Sequence, residues 1–316
     1  MSIKKIFAAF SLAAALFLTP SAQAADALKI GALPAADSLI LYAAKEDGVF
    51  TAHGLDVEVV PFQSALELGA ALRAGSLGGL FGDIVNVLMQ NENGVPLMVI
   101  ATTSHSSPDA RFFGLAVSPR SKVQTLEELK GKSCAIGRAT IVELVLDALL
   151  EQEGAAGSLE KRDIRQIPVR LQMLLAGQME SALLPEPLLS LVEGQGARVL
   201  LDDRKLNMPL AVIALRKPDG GVDAAFTDRV KRFRAALAEE AARINADPEK
   251  YKTMMQKFRL LSPQAAPHYT MLRFVGGTPL ILPTEDDLQR RAAWMKNGRL
   301  LKKELPAYGD IIFQDK

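Results

Sequence analysis

One pattern comes round twice in this chain. "IGALPAADSLILYAAKEDG", Ile30 to Gly48, and "IGRATIVELVLDALLEQEG", Ile136 to Gly154, both open on Ile-Gly and close on an acid followed by Gly. The offset is constant at 106 residues, from Gly31 to Gly137 and from Gly48 to Gly154. Further on, "LRAG" ending at Gly75 answers "LLAG" ending at Gly177, and Gly94 answers Gly196, both at an offset of 102. Any two strand–helix units share glycines at helix ends, so one match decides little. Two stretches that each keep their own spacing favour two structurally similar halves, and 316 residues suffice for two ordinary domains.

The local patterning agrees. "LKIGAL" (Leu28 to Leu33), "LDVEVVPF" (Leu55 to Phe62), "LGGLFG" (Leu77 to Gly82) and "PLMVIATT" (Pro96 to Thr103) are short and apolar or alternating, as strands are. Between them, 38–46, 65–74 and 84–90 carry helical spacing. The alternation resumes with "SCAIG" (Ser133 to Gly137), "IRQIPV" (Ile164 to Val169), "SALLP" (Ser181 to Pro185) and "ARVLLDD" (Ala197 to Asp203). Strand and helix in turn predict an α/β fold of mostly parallel sheets with helices on both faces.

The ends and the composition narrow the function. Residues 1–24 carry Lys4 and Lys5, an uncharged apolar run from Ile6 to Leu18, the breaker Pro20 and an Ala22-Gln23-Ala24 cleavage site. This reads as a signal peptide; the run is too short for a membrane span. No cysteine follows it, so no lipoprotein anchor is expected, and the location expected is the periplasm. Cleavage removes two lysines and no acid, taking the formal charge from +1 to −1, with no basic excess to serve nucleic acid. Cys134 is the only cysteine, so it has no intrachain partner, and it reads as a small core residue. His53, His105 and His268 are too far apart for a metal-ligand motif. No cofactor is expected.

Helix starts point to where a ligand would sit. Capping-box patterns occur at Ser64–Glu67, Thr125–Glu128 and Thr140–Glu143, with a variant at Thr284–Asp287. Ser64 and Thr140 follow strands directly, which sends free backbone N–H groups out of the carboxyl edge of the sheet, the ligand edge of open α/β sheets. "SALLPEPLLSL" puts Glu186 at that edge between Pro185 and Pro187, whose fixed φ angles hold it at low entropic cost. Asp83 lies at nearly the same place in the first half, one residue out of register. The alternatives are an N-cap for Asp83 and a solvated turn for Glu186.

Five stretches carry a family resemblance: "LYAAKEDGVFTAHGLDVEVVPF", "ALRAGSLGGLFGDIVNVLMQNENGVPLMVIA", "VQTLEELKGKSCAIG", "RLQMLLAGQMESALLPEPLLSLVEGQGARVL" and "WMKNGRLLKKELPAYGDII". Over nearly the whole mature chain the sequence resembles the solute-binding proteins of ABC importers, in the branch that takes aliphatic sulfonates, nitrate, taurine and thiamine-pyrimidine precursors. The resemblance implies a type II-like periplasmic-binding-protein fold. Residues 25–112 plus 209–316 would form lobe one and 113–208 lobe two, joined by hinge strands near Phe112 to Val117 and Met208 to Leu215. It implies capture of a small organic, anionic solute by lobe closure, without catalysis, by a monomer working with ABC permease and ATPase subunits. Ligand groups expected after the strands are Asp37, Ser38, Gln63, Ser64, Asp83 and Thr102 in lobe one, and Arg138, Thr140 and Glu186 in lobe two. Arg138, beside a helix N-terminus, suits a carboxylate, sulfonate or phosphate; a surface arginine pairing with a nearby acid is the alternative. Tyr42, Phe62, Phe81, Phe112 and Phe113 read as core or hinge packing, and the lone Trp294 lies far along the chain from the strand-end loops. Two other readings stay open. One is an enzyme on the same fold, like the pyrimidine synthases, although their cysteine-rich motif is missing here. The other is a receptor presenting its ligand to a membrane sensor.

Overall fold

The structure, a computed structural model, describes residues 27–274 and 281–314; the signal expected over residues 1–24 lies outside them. Two five-stranded sheets organise the described chain. The first takes β1 (Leu28–Ala32), β2 (Val57–Pro61), β3 (Gly79–Gly82), β4 (Leu97–His105) and β10 (Pro209–Arg216), in the order β2-β1-β3-β10-β4. The second takes β5 (Phe113–Val117), β6 (Ser133–Ile136), β7 (Glu160–Asp163), β8 (Ser181–Pro185) and β9 (Arg198–Asp202), in the order β7-β6-β8-β5-β9. The two orders are one plan. In each sheet three strands run parallel, a fourth crosses them antiparallel, and a last one closes the edge. The repeat maps onto it, with β1 answering β6 and β3 answering β8.

Each parallel pair is joined over a helix. In the first sheet these are α1 (Leu39–Glu46) with the short α2 (Val49–Ala52), then α3 (Ala65–Arg73) and α4 (Ile84–Glu92). The second has α6 (Ile141–Gln152), α7 (Ile167–Leu175) and α8 (Leu188–Gly194), with the short α5 (Leu126–Leu129) on the way from β5 to the antiparallel β6. After β10, α9 (Ala224–Ala246) and α10 (Pro248–Lys257) brace the first sheet, followed by α11 (Glu285–Asn297) and α12 (Tyr308–Ile311). α9 and α10 are divided at Asp247, which caps α10 ahead of Pro248; proline fits a first helical turn and ends the helix before it. The inner strands are buried on both faces, as the wholly buried β5 and β8 show, and β4 is nearly so. That is why they read as apolar runs. Aromatic packing ties α9 to α2, with the Phe50 and Phe233 rings 4.9 Å apart.

One expectation fails outright. Ile164 to Val169 is not a strand: the strand is the charged "EKRD" of β7, and α7 begins at Ile167 with proline in its first turn. β7 is an edge strand pairing only with β6. Edge strands are kept from pairing further by charge, which hides them from a search for apolar runs.

The chain passes between sheets twice, at 106–112 and 203–208, and the passes are tied together. Met208 N–H donates to Ser106 Oγ at 2.7 Å, and Ser106 N–H donates to the Met208 carbonyl at 2.9 Å. Asp203 Oδ1 accepts both the Phe112 and Phe113 amides at 2.9 Å. Burial pushes the Asp203 carboxyl up to about 6.

Ser64, Asp83, Thr125, Thr140 and Thr284 all cap helices with their side chains. Only Thr284 closes a full box with its third residue, Asp287. At Thr140 the expected box is displaced, since Glu143 accepts the amide of Ala139 instead. Thr284→Ala is expected to cost about 1 kcal/mol, read as a lower urea midpoint with an unchanged slope. An unchanged midpoint would show that the Asp287 side chain alone holds this helix start.

Candidate functional site

The carboxyl edges of the two sheets face each other. Backbone contacts span the gap: Ala36 N–H donates to the Glu186 carbonyl and Ile167 N–H to the Gln63 carbonyl, each at 3.2 Å. Gln166 Nε2 donates to Glu67 at 3.3 Å. Between these contacts lie three adjoining hollows. An inner chamber of about 60 Å³ holds Asp37, Asp83, Arg170 and Glu186 among apolar groups. A pocket of about 140 Å³ shares Asp83 and Arg170 with it and adds Arg73, Arg138 and Arg165. A wider cleft of about 1000 Å³ shares Glu186 and Phe112 with the chamber and runs past Arg111 and Tyr269.

Arg170 is the centre of this arrangement, and sequence reasoning missed it. It is 1% exposed, and its Nε and Nη2 have no hydrogen-bond partner. Only Nη1 is used, donating to the Ile164 carbonyl at 3.2 Å. Burial pulls the guanidinium down to about 10, against the Cys134 thiol and the Asp163 carboxylate, so it stays charged at neutral pH. A buried cation with two idle donors is costly unless something binds it. Gly137 makes room: a Cβ there would come within 3.3 Å of Nη1. The signal was present in α7, "IPVRLQMLL", where Arg170 is the single charge in an apolar helix, but reading its first turn as a strand placed the residue past the sheet edge.

Arg138 stands differently. It is exposed and lines the 140 Å³ pocket, while its amide donates to Asp163 Oδ1 at 3.0 Å. Thr140 caps α6 beside it and lines the same pocket. Ala139 between them is left-handed at φ +58°, a strained setting for a residue with a Cβ.

Asp83 both caps α4, accepting the Asn86 amide at 2.8 Å, and lines the chamber and the pocket. Burial pushes its carboxyl above the usual range against the pull of nearby amides, among them Ile141 at the start of α6 across the gap. Asp37 is likewise raised by burial, and it accepts the Thr103 hydroxyl at 2.7 Å. Glu186 shares the chamber with Asp83, but its carboxylate is fully engaged. Oε1 accepts Arg111 Nε at 2.9 Å and Nη2 at 2.5 Å, and Oε2 accepts the Ser190 amide and hydroxyl. Arg111 also reaches Glu193 at 2.7 Å. The prolines around Glu186 thus hold a carboxylate already bound by Arg111 and Ser190 rather than a free charge.

Four expected residues do not line these hollows. Ser38 donates its hydroxyl to the Ala35 carbonyl, and Ser64 is spent on capping α3. Gln63 is exposed. Thr102 is wholly buried with its hydroxyl unpartnered, while the next two residues, Thr103 and Ser104, take the cleft side. Phe81, Phe112 and Phe113, read as packing, are buried and also wall the chamber.

Known proteins share this two-sheet fold. The NMT1/THI5-like family model matches residues 35–195. No curated protein matches the chain by sequence. Among solved structures, the alkanesulfonate-binding protein SsuA from Xanthomonas axonopodis pv. citri bound to MOPS is 18% identical, covers 90% of this chain and 97% of its own, and superposes with a TM-score of 0.74. The periplasmic aliphatic sulphonate-binding protein SsuA from Escherichia coli is 17% identical over 88% of this chain and 94% of its own, at 0.68. A ligand-binding component of an ABC-type import system from Staphylococcus aureus, with zinc bound, is 19% identical over 90% and 96%, at 0.69. At these identities the likeness establishes the shared two-lobe fold.

Proposed function

The chain belongs to the NMT1/THI5-like family, and on that premise we propose that it is the periplasmic solute-binding component of an ABC importer, working with permease and ATPase subunits. Its lobes are residues 25–112 with 209–316, and 113–208. They close on a small organic anion of the sulfonate, carboxylate or vitamin-precursor kind. The observation that carries this reading is Arg170, a buried guanidinium with two unused donors between the lobes. Its idle edge is a fork suited to two oxygens of one acid group. The α6 N-terminus and Arg73 and Arg138 add positive potential on the same side. Asp37 and Asp83 on lobe one oppose a bare inorganic anion and favour an organic one whose other end donates hydrogen bonds. Binding both lobes at once draws the open–closed equilibrium toward the closed form.

The enzyme reading finds no support at Cys134. It is fully buried, and burial pushes its thiol up to about 11, the reverse of an activated nucleophile.

A melting-temperature screen against sulfonates, carboxylates, amino acids and vitamin precursors tests the proposal, because a ligand of the folded state raises the midpoint. Stabilisation by an acid is the expected result; stabilisation by neutral or cationic compounds alone would sink it. With the solute in hand, Arg138→Ala is expected to weaken binding by only about 0.2–1 kcal/mol, the scale of a solvent-screened charge. A larger loss would make the exposed arginine the principal anchor.

A further inference from the structure

The only tryptophan of the chain spends its one polar atom on the opposite lobe. Trp294 lies on α11, which packs on α4 and is tied to the first sheet where Arg291 Nη2 donates to the Pro209 carbonyl at 3.1 Å. Its indole Nε1 donates to Asp147 Oδ2 on α6 at 3.1 Å. Asp147 Oδ1 in turn holds Lys161 Nζ at 2.6 Å. The same ammonium reaches Glu143 Oε1 at 3.0 Å, and Glu143 Oε2 accepts the amide of Ala139 at 2.8 Å. Ala139 is the left-handed residue of the loop between Arg138 and Thr140 that walls the arginine-rich pocket.

From this unbroken run of contacts we infer that Trp294 and Asp147 are a positioning pair, through which contact between the lobes sets the shape of the loop at 137–140. Two carboxylates share one lysine. While the indole donates to Asp147, part of that carboxylate's demand is met, and Lys161 also serves Glu143. When the lobes part and the indole leaves, Asp147 draws Lys161 to itself. Glu143, no longer pinned in place by the ammonium, swings away from Ala139, whose left-handed backbone relaxes toward an ordinary one. Closure therefore completes the pocket as well as covering it. The coupling is carried by two carboxylates competing for one cation, an element both ends can bias, and not by proximity alone. The inference rests on the proposed function only for its effect on binding.

Its test needs no solute. Amide hydrogen exchange of the full chain is followed over residues 137–143 in wild type, Trp294→Phe, Asp147→Asn and the double variant. Trp294→Phe is expected to speed exchange there about three- to tenfold, the worth of one hydrogen bond. Asp147→Asn, which no longer competes for Lys161, is expected to keep the wild-type rate and to restore protection when added to Trp294→Phe. Unchanged exchange at 137–143 in Trp294→Phe overturns the inference, as does fast exchange that persists in the double variant, since lost packing at α11 would not be rescued from the other lobe. A failure of the solute screen would leave these rates untouched, so the two readings fall separately.

Discussion

Arg170→Met lowers affinity for the acidic solute and at the same time makes the empty protein more stable. The two signs come from one cause. The guanidinium is buried with Nε and Nη2 idle, so the unliganded fold bears its desolvation without full return. Methionine fills similar space and carries no charge. Replacing a buried ion pair by apolar side chains is often neutral or stabilising by roughly 1–4 kcal/mol, and a lone buried cation with idle donors shares that sign; the lost bond to Ile164 offsets about 1 kcal/mol of it. Binding loses a charge-assisted pair, about 1.5–3 kcal/mol, or roughly 10- to 150-fold in Kd. Arg170→Lys keeps the charge but not the fork, so it recovers part of the affinity and none of the stability. Titration calorimetry and melting curves on the three proteins decide it. Unchanged affinity removes Arg170 from the site, and a lower melting temperature for the methionine variant shows that the guanidinium is held by more than Ile164.

Why Arg170 escaped sequence reading while Asp83 did not is a matter of which signals are local. Asp83 follows an apolar strand and precedes a helical pattern, and both its cap and its place at the sheet edge follow from spacing within a dozen residues. The doubled sheet was legible for the same reason, because the glycines that close α1, α3, α6 and α7 keep their offsets. β7 broke the pattern: its four residues are charged, since an edge strand answers to solvent rather than to a core. Misplacing it shifted the start of α7 and with it the side chain at 170. The antiparallel course of β5 and β10 and the engagement of Glu186 by Arg111 are long-range facts. Arg111 and Glu186 are 75 residues apart and meet only because the crossing at 106–112 runs beside the end of β8. Nothing in the neighbourhood of either residue announces the other. The same holds for Trp294 and Asp147, separated by 147 residues.

Away from the cleft, Glu240 is expected to make the protein more stable in mild acid than at neutrality. It lies on α9 with no exposed surface, and neither carboxylate oxygen has a partner at bonding distance. Burial is the main cause that pushes its carboxyl from 4.5 up to about 7, with the Asp47 carboxylate adding to it, while Tyr251, Arg243 and Lys250 pull the other way. Asp47 itself is held low: burial opposes this, but Lys250 at 2.7 Å and the Tyr251 hydroxyl at 2.5 Å outweigh it. Glu240 therefore meets an ionised neighbour at every pH of interest. The folded state binds the Glu240 proton more tightly than the unfolded chain does. Its contribution is thus fully present below about pH 4.5, declines as pH rises toward 7, and is gone above that. Asp37, Asp83 and Asp203, all raised by burial, add slope of the same sign. Asp163, Asp202 and Asp287 are lowered, so their stabilisation is lost in strong acid, which leaves the optimum in mild acid between the two effects. Glu240→Gln cannot ionise. It is expected to match wild type at pH 4.5 and exceed it at pH 8 by roughly 2–3 kcal/mol. Urea midpoints measured across this range test the claim. Parallel curves for the two proteins would mean that Glu240 is ionised in the folded state, held by water or by Tyr251, and that the pH slope has its origin in the cleft carboxylates instead.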